Sequence, residues 1–107
     1  MSLDVTLIAI RPTEVYTDNI THNLNKMAQE AGIYYHLWWL DELHISKAEY
    51  LIESLKKGLQ LLESDPERFK AFNSPNGWGM YEHFVPFVRK YLKACIDNPD
   101  ADIEILR

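Results

Sequence analysis

A chain of 107 residues and 12.6 kDa is below the size at which a second packed domain forms, so residues 1–107 are expected to share one core. Apolar residues make up 47% and charged residues 25%, with three Trp and six Tyr, which excludes the low-hydropathy composition of disordered chains. Sixteen Asp and Glu against eleven Lys and Arg leave a formal net charge of −5, so no positive field gathers a phosphate backbone and no nucleic-acid partner is expected.

No apolar run approaches the ~20 residues needed to cross a bilayer. The most apolar stretch, residues 31–40, is broken by Gly32 and His36, so no membrane partner is expected. Asp4 falls before the first long apolar run and no Lys or Arg precedes it, which is the wrong order for a secretory signal. The single cysteine, Cys95, has no partner for an internal disulfide, which suits a reducing compartment. Both features place the expected location in the cytoplasm.

In chain order, residues 3–10 alternate Leu3, Val5 and Leu7 against Asp4 and Thr6 before becoming wholly apolar, the pattern of a strand buried at one end. Arg11, Pro12 and Thr13 interrupt it, and residues 14–17 read either as a short return strand or as an extended lead into a helix. Asp18, Asn19 and Thr21 offer capping oxygens for a first helix. Ile20, Leu24, Met27, Ala28 and Ala31 recur at helical spacing, and Gly32 stops it. Residues 33–40, too aromatic for a solvent loop, predict one or two tight helical turns lying on the core.

Ser46 with Glu49 matches a capping box, which predicts a long helix starting there with Ala48, Leu51, Ile52, Leu55, Leu59 and Leu62 as its buried stripe. Gly58 inside it costs about 1 kcal/mol of helix propensity. Asp65 and Pro66 open a short helix to about Phe72, and residues 73–79 form a loop. A last helix runs from near Met80 to Asp97, burying Tyr81, Phe84, Val85, Val88, Tyr91, Leu92 and Cys95. Pro86 predicts either a kink or a regular part that begins near residue 85. Residues 102–106 alternate as a final strand. The strands near the two ends of the sequence then pair with each other, with residues 14–17 as an optional third, under about four helices: an α+β fold.

Two runs carry a resemblance: Asn19-Ile20-Thr21-His22-Asn23-Leu24-Asn25-Lys26-Met27-Ala28, continued by Glu30-Ala31-Gly32-Ile33-Tyr34, and Asn76-Gly77-Trp78-Gly79 with Tyr81. In these the chain resembles a group of small bacterial and phage-encoded proteins of similar length with no established activity. The likeness runs over most of the sequence, including Asp65-Pro66-Glu67-Arg68-Phe69. The chain departs from the group at Trp39 and Leu40, where relatives carry a basic residue and a Pro, and at Pro86, where they carry an acid. The resemblance implies a bacterial or phage cytoplasmic setting and transfers no catalytic residue.

Asn19 and Asn23 lie three and one residues from His22, with Lys26 four residues beyond it, and make a polar cluster able to bind a small ligand, or else simply cap the helix. Asn76, Gly77, Trp78 and Gly79 combine conformational freedom with a flat stacking surface. The pair of glycines suits a nest of backbone N–H groups for an anion, although the Walker arrangement of Lys and Ser or Thr is missing. His22 and His83, each near the start of a helix, are able to meet beside Glu82 or Asp18. The four His show no metal-binding spacing, so no metal or cofactor is expected. No nucleophile elbow is present, Cys95 lies on an apolar stripe, and no catalytic residue is assigned. Tyr35, Trp38 and Trp39 are the candidate interface, since Tyr and Trp carry much of the energy of protein contacts.

The leading expectation is therefore a small non-enzymatic binding or interaction module, a homodimer, that engages a protein partner or a small ligand through its aromatic segment and the Asn-Gly-Trp-Gly loop. The alternative is a small-ligand-binding or hydrolytic protein with a polar pocket built from Asn19, His22, Asn23, Asn76, Trp78 and His83.

Overall fold

A computed structural model describes residues 1–9 and 13–107. Strand β1 (Ser2–Ile8) alternates as its sequence demands: Leu3, Val5 and Leu7 are fully buried, while Asp4 and Thr6 stay partly exposed. It is the middle strand of a three-stranded antiparallel sheet, between β2 (Glu14–Thr21) and β3 (Asp102–Leu106). Register places Ile20 opposite Leu3, Tyr16 opposite Leu7 and Ile105 opposite Val5, so one face of the sheet is apolar except at Asp18, which lies opposite Val5 on β2. On the other face the hydroxyls of Thr6 and Thr17 lie 3.2 Å apart. Ala9 N donates to Thr13 O at 2.9 Å where β1 turns toward β2, while Ile10 and the break expected at Arg11 and Pro12 lie outside the described residues.

Residues 14–17 are thus strand, and β2 continues to Thr21. This corrects the expectation that Asp18 and Asn19 cap a helix: both pair with β1, opposite Val5 and Asp4. Pairing supplies partners for several backbone groups at once, which outweighs one capping bond. Thr21 keeps the capping role, its Oγ accepting from Asn23 N at 3.2 Å, and a 3-10 turn over His22–Leu24 leads into α1 (Asn25–Glu30).

Gly32, at φ +78, ends that helix as expected, and α2 (Tyr34–Trp38) is the single tight turn that the aromatic run predicted. Here Trp38 is only 3% exposed and joins the core, so the reading of Trp38 as an interface residue is corrected. Trp39 is half-buried. Its Nε1 donates to Tyr34 Oη at 2.9 Å, and the Arg107 guanidinium lies 4.0 Å from its ring. Arg107 also donates to Trp38 O and to the Asp41 carboxylate, and that bond holds the Asp41 carboxyl below its usual range. Of the three, Tyr35 alone stands out from the surface, 54% exposed.

The capping box does not form. Ser46 O accepts from Ile103 N, Ala48 N donates to Ala101 O, and Glu49 N donates to Pro99 O, so this stretch pairs with the segment entering β3. After a 3-10 turn over Ala48–Tyr50, helix α3 (Ile52–Ser64) starts several residues later than the Ser and Glu suggest. α4 (Pro66–Lys70) begins on Pro66 as expected. α5 (Tyr81–Asp97) is continuous through Pro86, so of the two expectations the late start near residue 85 is not met. It buries Phe84, Phe87, Val88, Tyr91 and Cys95 against the sheet and α3. The end of α3 lies by the start of α5, where Tyr81 Oη donates to Leu62 O at 2.8 Å.

Two details of this core were hidden in the sequence. Tyr91, buried as its helical spacing predicts, has its ring stacked on Tyr16 of β2, 6.1 Å between centroids. Gly58 is where Ile33 meets α3: a Cβ there would sit 2.6 Å from Ile33 Cγ2. The glycine is a contact requirement, so Gly58→Ala should destabilise the protein by up to about 2 kcal/mol, because overpacking at ~1–3 kcal/mol outweighs the helix-propensity gain of ~1 kcal/mol. Denaturant unfolding measures it; a stabilised variant would contradict the close approach.

Burial also pushes the Cys95 thiol up to about 12. At about pH 8 an aromatic disulfide reagent should therefore label the native chain at least roughly 100-fold more slowly than the unfolded chain. Equal rates would show that the thiol is accessible in the fold.

Candidate functional site

An open cleft of about 980 Å³ lies between the end of β2, the loop at residues 73–79 and the first half of α5. Asn19, His22, Asn23, Asn76, Gly77, Trp78 and His83 all line it, so the structure brings every expected ligand-binding residue to one place. They arrive from three chain segments, and their roles differ.

The loop is fixed from within. Asn76 Oδ1 accepts from Ser74 Oγ at 2.6 Å and from Trp78 N at 2.9 Å, while Gly77 N donates to Ser74 O and Ser74 N donates to Gly79 O. Because the amides of Gly77 and Trp78 are engaged inside the loop, the expected anion nest is not available, and Asn76 serves as a brace. Helix α5 starts in the same way, with Tyr81 N donating to Asn73 Oδ1 at 2.7 Å. Asn73 is a brace that sequence reasoning missed, since its partner lies eight residues on, outside any capping pattern.

The loop is also clamped to the sheet. Asn23 Nδ2 donates to Trp78 O at 2.9 Å. Gly79 sits at φ +106 so close to Asn23 that a Cβ would lie 2.8 Å from Asn23 Cβ, so only glycine fits. The result is a Trp78 backbone held in place with its indole 70% exposed at the rim of the cleft, outside the core.

His22 stands at the floor. Its ring meets Trp38 edge to face at 5.9 Å, and its Nε2 is buried without a hydrogen-bond partner among the described residues. His83, on α5, is exposed, with Nε2 4.0 Å from the Glu82 carboxylate. His22, His83, Glu82 and Asp18 all border the cleft. Among the described residues, however, no three His, Cys, Asp or Glu side chains come close enough to hold a metal ion.

Lining residues not singled out as ligand contacts include Phe87 and Lys90 of α5. Their signal was present in the spacing: 82, 83, 86, 87 and 90 recur at three- and four-residue steps on one helix face. Asp18, on β2, accepts from Tyr16 Oη at 3.3 Å and from Asn19 N at 2.8 Å. Among the described residues, no helix is long and apolar enough to cross a membrane. No family model, no curated protein and no solved structure matches the chain.

Replacing Asn23 with Ala removes the clamp on Trp78. The expected outcome is a loss of about 0.5–1.5 kcal/mol in stability and faster amide hydrogen exchange confined to residues 74–79. Unchanged exchange in the loop would show that the clamp is not what orders it.

Proposed function

We propose that this protein is a cytoplasmic, non-enzymatic binding module whose recognition site is the cleft between β2, the Asn-Gly-Trp-Gly loop and α5. The observation that carries the reading is convergence. Segments 19–23, 76–79 and 82–90 are distant in sequence and border one cleft, with the Trp78 backbone fixed and its ring exposed at the rim. Leaving an aromatic ring of this size in water forgoes roughly 1.5–3 kcal/mol of burial. With its backbone already fixed, this residue has only side-chain freedom to lose when a flat or extended group stacks on the ring.

This places recognition at the loop and cleft, where the aromatic segment was the other expected surface. In that segment Trp38 is in the core and Trp39 is covered on one side by Arg107, which leaves Tyr35 as a single exposed anchor. Residues such as Asn76 and Asn23, whose carboxamides hold the loop together, support the site without being its chemistry.

A thermal-shift panel of nucleosides, sugars, amino acids and short peptides on the native chain and on Trp78→Ala tests this. The variant should keep its unfolding midpoint within about 3 °C, as exposed sites do, and lose the ligand shifts seen with the native chain. Ligand shifts that survive the substitution would place binding elsewhere and overturn the reading.

A further inference from the structure

The edge of β2 that faces away from β1 is unpaired along its length, because β2 is the outer strand of the sheet. Which groups it presents follows from register. His22 N donates to Met1 O at 3.3 Å, and antiparallel ladders alternate bonded and non-bonded pairs. Ile20, Asp18 and Tyr16 therefore exchange bonds with Leu3, Val5 and Leu7, while the N–H and C=O groups of Thr17, Asn19 and Thr21 point outward. Asn19 N fits this phase, since it bonds the Asp18 carboxylate and not β1.

That edge is one wall of the cleft and α5 is the other. The strand wall from Asp18 to Thr21 is about 10 Å long at ~3.3 Å per residue. The helix wall from Glu82 to Lys90 is about 12 Å long at ~1.5 Å per residue. The walls are similar in length and suit four or five residues of extended chain. A strand laid on β2 would turn alternate side chains onto Pro86 and Phe87 and end beside Trp78.

Charge selects the occupant. Of the charged side chains on the two walls, Asp18 and Glu82 are acids against one cation, Lys90, and Glu14 adds a third acid farther along β2, which carries no Lys or Arg. Pairing β2 with β2 of a second copy would oppose these acids with more acids, between chains that each carry −5. Resting on the binding-module reading above, we propose that the cleft receives an extended, Lys- or Arg-containing segment of another protein, added to β2 as a fourth antiparallel or parallel strand.

The probe is a fluorescein-labelled peptide of about six residues alternating Val with Lys or Arg, compared with its Glu-substituted counterpart and with a form N-methylated at alternate amides. The basic peptide should bind, with slowed amide exchange at Thr17 and Thr21, the edge donors not already bonded within β2. N-methylation should weaken it at least roughly tenfold, since it removes backbone donors and leaves the side chains. Asn19→Pro, at an edge position that does not donate to β1, should abolish binding. If that variant misfolds, the N-methylated peptide decides alone.

Equal binding of the N-methylated peptide overturns strand addition. If that binding is still lost in Trp78→Ala, the cleft remains the site. Equal or tighter binding of the acidic peptide overturns the charge assignment. A concentration-dependent dimer that Asn19→Pro dissociates would give the edge to a second copy and overturn the proposal. Failure of every peptide overturns it too, and the ligand panel on Trp78→Ala then judges the broader reading independently.

Discussion

Everything in this molecule is referred to β1. Among the described residues it is the one strand with a neighbour on each side, from positions 14–21 and 102–106, and its side chains Leu3, Val5 and Leu7 are fully buried. A slip of one residue on either side would turn the apolar set toward water, so burial on one face fixes both registers at once. Fixing them brings the entry to β3 alongside residues 46–49, which sets where α3 begins, and aligns Tyr16 to stack on Tyr91 of α5. Helix and sheet are then locked at an offset that leaves the outer edge of β2 beside the first half of α5.

A second, smaller constraint turns that offset into a shaped cleft. Loop residues 73–79 bond among themselves, cap the start of α5 through Asn73, and press Gly79 against Asn23 just past the end of β2. Without that contact the loop would be an ordinary turn over a helix end. With it, the only strongly exposed Trp is carried to a defined place at the end of a strand edge. Side chains that hold this geometry and side chains free to meet a ligand are therefore different sets. Asn23, Asn73 and Asn76 belong to the first, while Trp78, Glu82 and Lys90 belong to the second.

Much of this was legible in the amino acids, for identifiable reasons. Alternation revealed β1 and β3 because one-sided burial imposes a period of two, and the spacing from Phe84 to Cys95 revealed α5 because one face of it meets the core. Local capping signals were less reliable. Ser46 with Glu49, and Asp18 with Asn19, both carry the right side chains for helix starts, yet in each case the backbone finds strand partners far away in sequence. Gly58 and Gly79 read as helix weakener and loop residue because the atoms that exclude a Cβ, on Ile33 and Asn23, are visible only in three dimensions. The seven candidate ligand residues were chosen as two separate clusters plus His83; that they border one cleft depends on β2 reaching Thr21, which the capping reading had cut short.

The most direct test of the central claim is a two-dimensional amide NMR map of the isotope-labelled chain titrated with a mixed panel of small polar fragments and short peptides. The account predicts that shifts cluster on residues 17–23, 76–79 and 82–90 and leave Tyr35, His36 and Leu43, beside the smaller cleft on the aromatic segment, unmoved. Shifts concentrated on that aromatic segment, with the β2 edge and Trp78 silent, would contradict it.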